Sequence, residues 1–247
     1  MKKTTLVLAA LAALAALPTL SHAEDAPSPL TFNASIVSDY RYRGISQTRL
    51  KPALQGGIDY ALPGGFYIGT WATYIKWIKD AGGGASTELD LYGGYKGEIA
   101  KDLAYDVGVL RYQYPNNHLA TSANTTELYG AVTFGPATVK YSHSVTNLFG
   151  FAKSKNSNYI EAVASFDIGG GVMITPHLGY QRVAKNKDFS YTDYSLMVGK
   201  DFGGFVLSGG VVGASTKSIG GVKAYASPDN GKDLGKVGGL VSLKYNF

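Results

Sequence analysis

The 247-residue chain has no cysteine. That excludes a disulfide scaffold, a thiolate metal site and cysteine-based nucleophilic chemistry. Charged residues make up 17% of the sequence. Beyond an N-terminal segment, no stretch approaches the roughly eighteen uninterrupted apolar residues of a membrane-spanning helix. No helix-period segment of useful length appears, and no Gly/Ser- or Pro-rich linker marks a second domain. No metal-ligand spacing, phosphate loop or nucleic-acid motif is found, so neither a cofactor nor a nucleic-acid partner is expected. Past residue 23 the histidines are His118, His143 and His177. His143 lies between Ser142 and Ser144, but neighbours on a strand point to opposite faces, so it shares a face with neither. His177 has no acid partner fixed in sequence. No enzyme is expected.

What the chain does have is 32 glycines, 18 tyrosines and period-2 alternation. The last stretch is the clearest. Val237, Gly239, Val241, Leu243, Tyr245 and Phe247 share one face; Lys236, Gly238, Ser242, Lys244 and Asn246 share the other, with Leu240 the apolar exception. An apolar edge strand at a terminus invites aggregation unless it closes a barrel. At the other end, Met1–Ala23 reads as a secretory signal. Lys2 and Lys3 form its basic region, Leu6–Leu17 its apolar run, and Ser21-His22-Ala23 its small-residue cleavage site. Residues 24–247 then form a single domain. Removing the two lysines lowers the formal charge from +5 to about +3.

The rest divides into about twelve alternating strands separated by turn signals, which predicts an all-β, antiparallel up-and-down transmembrane barrel. The first strand is expected over about Thr31 to Tyr42, and the fifth over about Leu103 to Tyr114 with a bulge near Val109. In the fifth, Leu110, Tyr112 and Tyr114 are placed outward. In the third, Trp71, Ile75 and Trp77 are placed outward. Connections alternate short and long, the pattern of periplasmic turns and outer loops. Tyr60, Tyr95, Phe134, Phe166, Phe202, Tyr245 and Phe247 fall at the periplasmic ends. Tyr40, Tyr42, Trp77, Tyr112, Tyr114 and Tyr180 fall near the outer ends, as two aromatic girdles would.

Ser38-Asp39-Tyr40-Arg41-Tyr42-Arg43-Gly44-Ile45-Ser46-Gln47-Thr48, followed by Lys51-Pro52-Ala53 and Gln55-Gly56-Gly57, resembles the N-terminal signature of the TorF-type porin family (Gcw_chp). Gly69-Thr70-Trp71-Ala72 and the glycine-rich stretch Leu91 to Tyr95 are similar to it as well. The resemblance covers the chain after residue 23. It implies a porin-type barrel in the outer membrane of a Gram-negative bacterium. Tyr245 and Phe247 would form the signal read by the barrel-assembly machinery. It implies no reaction and no defined ligand.

Strand parity turns Asp39, Arg41, Asp59, Glu88, Asp90, Asp106, Arg111, Glu127, Lys140, Glu161, His177, Asp193, Lys236 and Lys244 toward the lumen. Charges of both signs must be paired or wet, which favours a narrow aqueous channel for small polar solutes; the alternative is a non-conducting structural or interaction barrel. The outer mouth is expected to be basic, with Arg43, Arg49, Lys51, Lys153, Lys155, Lys185 and Lys187. Such a rim suits lipopolysaccharide phosphates and gives a modest anion preference.

Overall fold

The computed structural model describes residues 28–247; residues 1–23, read above as a secretory signal, and residues 24–27 lie outside the described residues. The fold is a closed antiparallel barrel of twelve strands. They are β1 (Leu30–Val37), β2 (Ala53–Ala61), β3 (Phe66–Tyr74), β4 (Thr87–Ala100), β5 (Leu103–Gln113) and β6 (Thr125–Phe134). β7 (Ala137–Ser144), β8 (Asn158–Ala164, resuming at Phe166–Asp167), β9 (Val172–Arg182), β10 (Tyr191–Asp201), β11 (Phe205–Ser215) and β12 (Gly238–Asn246) complete it. Each strand pairs with its sequence neighbours, and β1 pairs with β12, setting Ala34 opposite Tyr245 and Ile36 opposite Leu243. No sheet edge is left among these strands, which removes the aggregation hazard of the alternating segments.

Alternation decides which way each side chain points. Ile36, Leu54, Leu128, Leu178, Leu196 and Leu243 are exposed on the outer surface. Gln55, Glu88, Asp106, Glu127, Thr175, Asp193 and Ser242 are buried inside. An apolar exterior around a polar interior inverts a water-soluble protein and matches a hydrocarbon layer. At the end with short turns, Phe66 stacks near Tyr95 at 4.8 Å, Phe205 on Tyr245 at 4.3 Å, and Phe247 on Phe32 at 5.7 Å. These rings form the inner girdle.

The outer girdle differs from expectation. Tyr74, Tyr141, Tyr180 and Tyr194 are exposed on the outer surface, whereas Tyr40, Tyr112 and Tyr114 are buried inside. For Tyr40 the cause is at β1, which stops at Val37 instead of running to Tyr42, because the chain then turns into the barrel; for Tyr112 it is the parity of β5. Trp71 faces inward under Tyr40, with ring centroids 5.5 Å apart. Ile75 is buried, and Trp77 opens a short helix, α1 (Trp77–Asp80), above the strands. β5 has no bulge near Val109: Ala104, Asp106, Leu110 and Tyr112 are buried in unbroken alternation. Gly108 occupies an inward position without a side chain, and the inward residues beyond it are apolar, which imitates a change of phase. The register shift lies instead between Glu98 and Ala100.

Candidate functional site

The lumen has three levels, and the first outer loop, residues 38–52, creates them. Its tip is a two-residue hairpin turn: Arg41 pairs with Ser46 and Tyr42 with Ile45. Arg43 (φ 46°) and Gly44 (φ 78°) form the turn. Two successive positive φ values define the tight turn that suits hairpin twist and favours glycine. A Cβ on Gly44 would fall 2.7 Å from the Asp193 Cβ and from the Gly213 carbonyl oxygen. The tip therefore presses on β10 and β11, three and two strands from β1 around the barrel on the β12 side.

Inside, the loop is held to the walls by polar contacts. Asp39 accepts from Arg41 Nε at 2.7 Å and from Ser46 Oγ at 2.5 Å. Arg41 Nη1 donates to the Lys236 carbonyl at 2.8 Å. The Tyr40 hydroxyl donates to Glu88 at 2.6 Å, and the Tyr42 and Tyr112 hydroxyls lie 2.6 Å apart. Arg43 is the centre of this level. Its Nη1 and Nη2 reach the two Glu127 carboxylate oxygens at 3.0 and 2.7 Å, and Nη1 also donates to Gln181 Oε1 at 2.6 Å. The guanidinium lies 4.1 Å from the Tyr159 ring centroid and 4.8 Å from that of Tyr42. Arginine suits such a bidentate, ring-stacked position where lysine would not. With Arg43, Glu88 and Glu127 at most 4% exposed, this level is a plug.

Below it the interior is polar and partly open to solvent. Tyr92 donates to Asp59 at 2.5 Å and Tyr67 to Asp106 at 2.6 Å; the Tyr67 hydroxyl also meets that of Tyr129. Lys140 lies 4.3 Å from the Tyr129 ring centroid, and Lys96 lies 5.4 Å from that of Tyr67. Glu161, His177, Lys140 and Lys244 all keep partial exposure. His177 has two acids that the sequence did not reveal. Nε2 is 3.0 Å from Glu161, Nδ1 is 3.6 Å from Asp193, and Tyr159 bonds both His177 and Asp193. The link depends on Gly179, which stands between Glu161 and Asp193 in the register. A Cβ there would lie 2.5 Å from the Tyr159 ring carbon that carries the hydroxyl. Both imidazole nitrogens face acids and neither contacts a serine or threonine hydroxyl, so the cluster lacks the nucleophile–base pair of acyl transfer. Among the described residues, no group of His, Asp and Glu is placed to hold a metal ion.

Asp39, Arg41, Asp59, Glu88, Asp90, Asp106, Glu127, Lys140, Glu161, His177, Asp193 and Lys244 therefore face the interior. Two expectations fail. Arg111 is on the outward face of β5, bonded to Thr126 at 2.9 Å and Gln113 at 3.2 Å, because β5 keeps its parity. Lys236 precedes β12 and its side chain is exposed at the rim. The basic mouth also needs correction. Arg43 is inside, neutralised by Glu127, and Arg49 is bonded to Asp80 and lies 3.4 Å from Asp229. Lys51, Lys153, Lys155, Lys185 and Lys187 are exposed. Tyr159, Tyr67 and the inward placement of Tyr40 and Tyr42 escaped the sequence reading.

Above the plug is a vestibule of about 340 Å³. Each of the six outer loops gives it at least one ring: Tyr42, Trp77, Tyr114, Phe149 with Phe151, Phe189 and Tyr225. Burial holds the Tyr225 phenol well above its ordinary pKa, so it stays a neutral donor, 2.7 Å from the Phe189 carbonyl. A second depression, on the outside of the barrel, is bordered by Tyr180, Arg182, Lys185, Lys187 and Lys217.

The architecture is that of outer-membrane porins and channels. Residues 22–247 match the model of Gcw_chp, a bacterial protein family of unknown function, and the chain belongs to that family. The fold is similar to the KdgM porin, solved in complex with disordered oligogalacturonate. The TM-score is 0.55 at 8% identity, covering 88% of this chain and 98% of that one. It is also similar to the COG4313 outer-membrane channel from Pseudomonas putida F1, with a TM-score of 0.52 at 11% identity, covering 90% of this chain and 96% of that one. No curated protein matches the sequence significantly.

Proposed function

We propose that this protein is a passive, non-enzymatic channel of the TorF type for small polar solutes, resident in the outer membrane of a Gram-negative bacterium and exported by the signal at residues 1–23. The observation that carries this reading is the partly solvent-open, charged lumen below the plug, with Asp59, Lys140, Glu161, His177 and Lys244 lining it. A barrel that only anchored a surface would gain nothing from ionisable groups there, since an apolar filling costs no desolvation. The exposed lysines of the mouth give a modest anion preference, opposed by the acidic wall and weakened by salt. The KdgM porin, solved with the polyanion oligogalacturonate, is in keeping with an anionic solute in a barrel of this kind. The depression bordered by Arg182, Lys185, Lys187 and Lys217 has the charge to hold lipopolysaccharide phosphates. Tyr245 and Phe247 serve the assembly machinery.

The second reading, a non-conducting barrel, is favoured by the burial of the plug. Single-channel recording on refolded protein separates the two. Discrete openings, with a reversal potential across a salt gradient that favours anions, are expected. A silent bilayer containing folded barrel would hand the case to the second reading. Cation selectivity at low salt would remove the anion preference alone.

A further inference from the structure

We propose that the vestibule is a binding site for small, neutral, hydroxylated aromatic compounds, which it collects above the plug. This names a solute class for the proposed channel and rests on that reading. Two groups of rings line the cavity. Tyr42, Phe149, Tyr114 and Trp77 run edge to face, with successive centroids 5.4, 6.5 and 5.3 Å apart. Phe151, Phe189 and Tyr225 stand in a second row at 4.7 and 5.9 Å. Aromatic pairs of this geometry gain energy beyond area burial, and an inserted ring finds such partners on both sides.

The lining also specifies charge. Asp80 is its single ionic side chain among the described residues, and Arg49 neutralises it. A charged solute would leave water for a site with no free counter-charge. A sugar would lose most of its hydrogen bonds, because beyond Asp80 the polar side chains are mainly those of Ser46, Gln47, Gln181 and the tyrosines. A phenolic alcohol needs only one or two such partners. The volume of about 340 Å³ is at the small end of ligand pockets, about 300–1,000 Å³, which suits a single substituted ring. The cavity adjoins the plug: Tyr42 and Gln181 both line it and contact Arg43.

The test is isothermal titration of vanillyl alcohol into the refolded full barrel in detergent, with vanillate and glucose as comparators. Saturable one-to-one binding of the alcohol is expected, at least about tenfold tighter than either comparator, a difference of about 1.4 kcal/mol. Phe189→Ala should weaken it about tenfold, the loss of one aromatic contact. Ala224→Trp, which fills the cavity without removing a wall contact, should abolish it; heat-modifiable migration on a gel verifies folding of both. Absence of saturable binding would overturn the proposal. So would equal affinity for vanillate or glucose, or binding unchanged in the two variants, which would place the alcohol in the micelle. Conductance is recorded separately, so a silent channel that binds the alcohol refutes the channel and spares the site.

Discussion

Arg43→Ala tests the plug most directly. In the native barrel the guanidinium makes two bonds to Glu127 at 3.0 and 2.7 Å and one to Gln181 at 2.6 Å. Alanine removes all three and leaves the Glu127 carboxylate without its arginine at a level where it is 1% exposed. Breaking a buried ion pair by deleting one partner costs about 3–5 kcal/mol, much of it the stranded charge. Here that cost is relieved when the loop leaves and water reaches Glu127. The docked state should therefore lose about two to three and a half powers of ten against the undocked one, at about 1.4 kcal/mol per tenfold. Single-channel recording should show long, large openings in Arg43→Ala where the native barrel is mostly closed. The double variant Arg43→Gln/Glu127→Gln should fall between the two, because no charge is stranded; with the native protein and the single variants Arg43→Gln and Glu127→Gln it forms a cycle that isolates the pair. A folded Arg43→Ala barrel with native open probability would refute the assignment of Arg43 as the latch.

Gly44→Ala should open the channel too, because its Cβ would strike the Asp193 Cβ and the Gly213 carbonyl at a φ of 78°; native open probability would mean that the tip yields. Phe247→Asp should reduce the yield of heat-modifiable barrel, since Phe247 stacks on Phe32 and bonds its backbone at 2.8 and 3.0 Å across the seam. Normal yield would remove it from assembly. Leu196→Arg places a charge on the outer face of β10 and should cost about 2–4 kcal/mol in a bilayer. Ser195→Arg, one residue earlier and facing the lumen, should cost much less; urea titration in vesicles compares them, and equal losses would contradict the facing.

The barrel was legible because its physics is local. Alternation in segments such as Leu128–Phe134 and Val237–Phe247 states which side chain meets lipid, and glycine-rich turns state where strands end. The plug was not legible, because its inward path depends on partners far away in sequence. Asp39, Tyr40, Arg41 and Tyr42 alternate like a strand, so extending β1 through them was the natural reading. What diverts them is Glu88, Tyr112, Glu127 and the Lys236 carbonyl, each supplied by a different part of the chain. Tyr112 and Tyr114 misled for a related reason: an inward aromatic near a barrel end has the same spacing as a girdle ring. The Arg43-Gly44 pair was the one local signal, since an X-Gly dipeptide between alternating residues is a hairpin mark.

The acids of the upper wall explain why the plug is built from this loop. Glu88, Glu127 and Asp193 project from β4, β6 and β10 into a space where each is 1% exposed. Carboxylates at that burial are unstable as anions unless donors reach them or water does. With the loop in place, Arg43 meets Glu127, Tyr40 meets Glu88, and Tyr159 with His177 meets Asp193. With the loop withdrawn, Glu88 and Glu127 lose those donors and water must fill the level. Wall and loop are thus two halves of one polar network, and the alternative to a docked loop is a wet passage lined by acids. An apolar wall would have stabilised a permanent plug without this dependence. In the proposed channel the exposed lysines of the mouth and the acids of the passage below oppose each other: the first attract anions, the second repel them, and neutral solutes meet neither effect.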